Sequence, residues 1–146
     1  MNKGTSPGPI VAEPRSLRLV VIGDSGNGKT TLIGSLLSLA SPIDSSRSPA
    51  PPIEGLADDA AYSAFSTDSR TFMAAEPAGG TQQIPVSLAA AGNADVAIIV
   101  VDATRGVTDE TRRHATIAAL AGVRHFVVAI NKMDLAGFDA ARLETT

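Results

Sequence analysis

The eight residues Gly23-Asp24-Ser25-Gly26-Asn27-Gly28-Lys29-Thr30 place three glycines, a lysine and a hydroxyl in the spacing G-x-x-x-x-G-K-T. Such a set can grip a phosphate chain. Glycines let the backbone curl until successive N–H groups face one anion. Lys29 supplies positive charge for the β- and γ-phosphates, and the Thr30 hydroxyl is a hard oxygen suited to Mg²⁺. Thr30 and Thr31 open the segment that follows, and a helix starting there adds the positive end of its dipole. Every residue from Gly23 to Thr31 is therefore a candidate nucleotide contact.

A second group lies far downstream. Asn131-Lys132-Met133-Asp134 forms an N-K-x-D box directly after an apolar run, the base-reading pattern of guanine-nucleotide-binding proteins. A fixed carboxylate at Asp134 can accept from both N1–H and the N2 amino group of guanine. Adenine lacks that donor pair and leaves the acid unpaired, at about 1–3 kcal/mol. The Lys132 stem can pack over the base plane. Asn131 is read as a brace for the phosphate loop rather than as a base contact. Alone, N-K-x-D is equally a polar turn; paired with a phosphate loop it becomes a specific signal.

The elements that must position these groups alternate. Leu17 to Ile22 is a β-branched, apolar strand, and Thr30 to Ala40 has helical spacing in Leu32, Ile33, Leu36 and Leu37. Residues 41–55 are proline-rich and read as a loop. Two short strands are expected over 59–66 and 70–75, turned by Thr67-Asp68-Ser69, then a loop over 76–80 and a helix over 83–91. Asp95 to Val101 and His125 to Ile130 are continuous apolar runs of buried-strand type. Between them a helix over 108–121 is capped by Thr108, with Asp109 and Glu110 in its first turn. The expected fold is a three-layer α/β phosphate-loop domain with a mainly parallel sheet and its ligand at the carboxyl ends of the strands.

Composition agrees. The chain has 146 residues, 44% apolar but only 3% aromatic, so its core is built from Ala, Val, Ile and Leu. A net charge of −3 without a basic run argues against nucleic acid as partner. The absence of cysteine excludes disulfides and thiolate metal sites. No segment reads as a secretory signal or membrane span. The expectation is a soluble cytoplasmic protein with a disordered leader over 1–16 and one nucleotide-binding domain over 17–146.

Beyond the motifs, the chain resembles sulfate adenylyltransferase subunit 1, the GTPase subunit of ATP sulfurylase and a relative of the translational elongation factors. The resemblance is carried by Leu32 to Leu37, Ala61 to Thr67, Asp102-Ala103-Thr104-Arg105-Gly106-Val107, Glu110-Thr111-Arg112-Arg113-His114, Gly122-Val123-Arg124-His125 and Val127 to Leu135. It implies GTP or GDP as ligand, Mg²⁺ as cofactor, and GTP hydrolysis coupled to adenylyl transfer from ATP to sulfate on a separate sulfate adenylyltransferase catalytic subunit.

The chain also departs from that family's pattern. Glu76-Pro77-Ala78-Gly79-Gly80 stands where the family has Asp-Thr-Pro-Gly-His. Glu76 is either a Mg²⁺-shell carboxylate or a solvated loop acid, and Gly79 keeps its place for a γ-phosphate contact. Gly80 replaces the family's water-positioning histidine, and a glycine cannot orient water. Gly55-Leu56-Ala57 replaces Gly-Ile-Thr, so a Mg²⁺ hydroxyl is lost. Gly26 stands for an aspartate, and the family's next base-contacting loop and later domains lie beyond Thr146. These differences imply a weakened Mg²⁺ site and impaired hydrolysis in a C-terminally truncated G domain. A non-hydrolysing interaction module and an inactive fragment are the alternatives. His114 is expected on a solvated helix face with Arg112 and Arg113, a pair that is either solvated or a docking patch. Asp102 is read as structural.

Overall fold

Residues 16–42, 60–77 and 84–138 are described by a computed structural model of the chain. Their elements run β1 (Ser16–Ile22), α1 (Lys29–Leu39), β2 (Ser41–Pro42), β3 (Ala60–Ser66), β4 (Thr71–Pro77), α2 (Ile84–Gly92), β5 (Val96–Asp102), α3 (Asp109–Leu120) and β6 (His125–Asn131). The strands form one sheet in the order β2-β3-β4-β1-β5-β6. It is parallel from β4 through β1 and β5 to β6, and antiparallel where β3 joins β4 and β2 joins β3.

Strand pleat explains the layers. Successive side chains on β1 point to opposite faces. Val20 and Ile22 pack with Ala97, Ile99 and Val101 of β5 beneath Ala90 and Ala91 of α2 and Ala118 of α3. Leu19 and Val21 pack with Val100, Ala74 and Phe65 beneath Ile33 of α1. Both faces of the central strands are thus covered, which is why these runs are apolar without alternation. Full burial of a valine such as Val20 or Val100 stabilises by about 1.5–3 kcal/mol. Near the antiparallel edge, Phe65 stacks on its cross-strand partner Phe72 with ring centres 5.1 Å apart.

The opposite edge differs. On β6, Phe126, Val127 and Val128 are exposed, Val128 by 58%. At the amino ends of the strands, Asp95 accepts from the Arg18 backbone N–H and from two of its guanidinium nitrogens, tying β1 to the start of β5. Among the described residues, no helix is long and apolar enough to cross a membrane.

Several boundaries correct the sequence reading. Ser16 belongs to β1 and pairs with Thr71, rather than to a leader. Ser41 and Pro42, expected in a loop, pair with Ser66 and Phe65. Proline is tolerated there because β2 is an edge strand. Glu76 and Pro77, also expected in a loop, continue β4 opposite Ala61 and Ala60. Local composition hid this extension, since cross-strand pairing rather than propensity decides it. The remainder of the expected leader, the rest of the 41–55 loop, Gly55-Leu56-Ala57, and Gly79 and Gly80 lie outside the described residues.

Candidate functional site

The loop between β1 and α1 takes its shape from glycines. Gly23 has φ +144°, and a Cβ there would collide with the backbone carbonyl of Val100 on β5. Gly28 has φ +93°, and a Cβ there would collide with the Asn131 amide. Gly26, at φ +80° with no atom near a built Cβ, explains itself by backbone conformation alone. The loop is then tied down on several sides. Asn27, 1% exposed, donates from Nδ2 to the Val100 carbonyl at 2.8 Å. Asn131 donates from Nδ2 to the Asn27 carbonyl at 2.9 Å. Lys29 donates from Nζ to the carbonyls of Gly23 and Asp24 at 2.8 and 3.1 Å.

Lys29 is buried, and burial pushes its ammonium below the usual lysine range while Glu76, Asp24 and Glu110 pull it back up. Backbone carbonyls and nearby carboxylates hold the charge in place. The helix start beside it is bare. Gly28 caps α1 without a side-chain hydrogen bond, and no acidic residue lies in the first turn. The first N–H groups of α1 therefore have no side-chain competitor for an incoming anion.

The Thr30 hydroxyl donates to Glu76 Oε1 at 2.8 Å. Two hard oxygens thus meet at the mouth of the loop, which suits Mg²⁺. Among the described residues no group of three His, Cys, Asp or Glu could cage a metal. That is compatible with Mg²⁺, which keeps waters and phosphate oxygens as ligands.

The N-K-x-D box follows β6. Lys132, just before the turn over 133–138, has φ +60°, and Phe138, its last residue, has φ +52°. Asp134 is exposed on that turn. The Lys132 ammonium is committed elsewhere, donating to Asp102 Oδ2 at 2.7 Å. Asp102 also accepts from the Thr104 N–H at 2.8 Å and the Thr104 hydroxyl at 2.6 Å. The Lys132 and Thr104 hydrogen bonds hold this buried carboxyl well below the usual carboxylate range. Asp102 thereby ties the end of β5 to Lys132 and Thr104.

Two side chains depart from their expected surroundings. His114 is buried rather than on a solvated face, and burial lowers its pKa against the pull of Glu110. Arg112 and Arg113, beside it in sequence, are exposed. Asp24, 1% exposed, turns its carboxylate away from the loop mouth to accept from Thr108 at 2.5 Å and from Thr111 at 2.9 Å. What Asp24 leaves for a phosphate is its backbone N–H. No local pattern foretold these partners, because they lie on the far side of β5.

The domain that carries this loop and the N-K-x-D turn matches a known family. Residues 14–146 match the family described as the elongation factor Tu GTP binding domain. The chain belongs to that family. Within the elongation factor Tu GTP binding domain family, the sulfate adenylyltransferase subunit 1 of Rhizobium tropici is 35% identical over 166 residues, covering 96% of this chain and 34% of the relative. That of Photobacterium profundum is 40% identical over 154 residues, covering 86% and 32%. The chain spans about a third of the length of the curated relatives it matches. Translation elongation factor SelB from Methanococcus maripaludis, in complex with the GTP analogue GppNHp, has a TM-score of 0.72 at 24% identity, covering 92% of this chain and 25% of that one. That likeness is one of fold, and it agrees with the three-layer α/β domain expected from the sequence.

Proposed function

We propose that this chain binds GTP and GDP as the nucleotide-binding part of a sulfate-activating GTPase, like the sulfate adenylyltransferase subunit 1 relatives, and that its hydrolysis is impaired. The observation that carries the reading is the Asn131 amide on the Asn27 carbonyl at 2.9 Å. It ties the base turn to the phosphate loop, so that one ligand can span both. Backbone N–H groups from Gly23 to Thr31 and the Lys29 ammonium hold the phosphates. Asp134 takes the guanine edge, with Lys132 against the base plane.

Thr30 and Glu76 would hold Mg²⁺, which when bound neutralises charge on the β- and γ-phosphates. The longer Glu76 side chain and the alanine at position 57 weaken that site relative to the family pattern. Gly80 offers no group to orient an attacking water, and the missing histidine slows hydrolysis by orders of magnitude. A sulfate adenylyltransferase catalytic subunit is the proposed partner. A nucleotide-sensing module without hydrolysis is the second reading, favoured by the same Gly80 and Ala57.

The test is calorimetric titration of the chain with GDP and GTP, with and without Mg²⁺ and with ATP as competitor, followed by phosphate-release kinetics. Guanine binding that resists ATP is expected. No heat, or equal competition by ATP, overturns the proposal. Slow release abolished by Lys29→Ala supports the GTPase, and no release at all supports the sensing module. Asp134→Asn should weaken GDP about 10- to 100-fold and admit xanthosine diphosphate, since an amide can donate to O2 of xanthine. Unchanged GDP affinity removes Asp134 from the base site.

A further inference from the structure

One buried carboxylate in the site faces away from the nucleotide, although its backbone N–H belongs to the phosphate loop. Asp24 sits inside the phosphate loop, 1% exposed, with both carboxylate oxygens engaged by α3: Oδ2 by the Thr108 hydroxyl and Oδ1 by the Thr111 hydroxyl. Thr108 is the N-cap of α3, and Thr111 completes its capping box. The nearest cation on the side chain itself is Arg105, 3.7 Å away and half exposed. The Asp24 backbone carbonyl meanwhile accepts from Lys29. A single residue therefore touches the phosphate-binding lysine with its main chain and the start of α3 with its side chain.

Anchorage alone does not require a charge. An asparagine has the same shape, can accept from one threonine hydroxyl and donate to the other, and is far less costly to bury. A carboxylate adds a negative charge beneath a loop whose other features attract anions. That charge competes with phosphate for the field of Lys29, and in a buried setting it is screened weakly.

We infer that Asp24 is a positioning residue that fastens the phosphate loop to the N-cap of α3 and that its negative charge holds nucleotide affinity down, favouring release. The inference rests on the nucleotide reading above. It makes a prediction of unusual sign: a substitution inside the binding loop tightens binding.

The experiment compares GDP affinity by calorimetry for the unaltered chain, Asp24→Asn, Thr111→Val and Thr111→Ser. Asp24→Asn should bind GDP about fivefold more tightly, because the like charge is gone while the anchor persists. The gain should shrink at high salt. Thr111→Val should bind about threefold more weakly, since the carboxylate stays charged and loses a donor, and Thr111→Ser should restore the original value. A merely structural role for Asp24 predicts unchanged or weaker binding in Asp24→Asn, and that result overturns the inference. Should Asp24→Asn fail to fold, equal GDP affinity in Thr111→Val and Thr111→Ser overturns it instead. Absence of GDP binding by the unaltered chain is a different failure, that of the nucleotide reading itself.

Discussion

Helices α1 and α3 begin in the same way, each after a buried parallel strand at the carboxyl edge of the sheet, yet their first turns are opposites. The start of α1 has a left-handed glycine as N-cap, no side-chain hydrogen bond and no acid. The start of α3 has Thr108 as N-cap, a reciprocal bond with Thr111, and Asp109 and Glu110 in the first turn. Every helix start exposes N–H groups that need an acceptor. α3 satisfies part of that need from its own sequence, whereas α1 leaves it to a ligand. On the proposed function, one end serves stability and the other binding, and Asp24 joins the two.

Five substitutions probe that contrast. The largest effect is expected at the bare end. Lys29→Ala should lower GDP affinity about a hundredfold. It should barely move the melting temperature, because removing a buried ammonium also removes its desolvation cost. A calorimetric titration paired with a thermal melt checks both halves. Gly23→Ala comes next, at about 2–3 kcal/mol of stability, from a collision with the Val100 carbonyl in a backbone region that side chains rarely adopt. Gly26→Ala, with open space around it, is the control and should lose about 1 kcal/mol. Equal losses in denaturant titrations would contradict the role given to Val100.

At the capped end, Thr108→Ala should destabilise by about 1 kcal/mol, the usual value of an N-cap. A shift indistinguishable from zero would mean that Thr111 alone satisfies the first turn. The smallest effect belongs to Asp102, which shapes the entry to α3. Its carboxyl is held below the ordinary range in the fold, so its contribution is present above the unfolded pKa of about 3.9 and fades as pH falls below it. Asp102→Asn should therefore lower stability by up to about 1 kcal/mol at pH 7 and by less at pH 3. Equal loss at both values would refute the Lys132 pairing as its source.

The legible parts of this chain were those whose partners are close in sequence. Apolar runs announced β1 and β5, because a strand covered on both faces needs no polar alternation; the same kind of run announced β6 as a strand, but read it as buried where Phe126, Val127 and Val128 are exposed at the sheet edge. The spacing from Gly23 to Thr30 announced an anion loop, because glycine torsions and a following helix are local facts. Thr108 read as a cap for the same reason. The extension of β4 through Glu76 and Pro77 was not legible, since its hydrogen bonds are supplied by β3.

By itself, then, the sequence determined the order of the longer strands and helices, the presence of a phosphate loop, and an N-K-x-D box after β6, but not the short β2. Only the tertiary structure decided that Asp24 faces α3, that His114 is buried, that Lys132 is held by Asp102, and that Asn131 reaches Asn27. Backbone torsions and hydrophobic period are written over a few neighbouring residues, so they can be read from the chain. Which polar group meets which is settled only when β1, β5 and β6 lie side by side, bringing together residues that are remote in sequence.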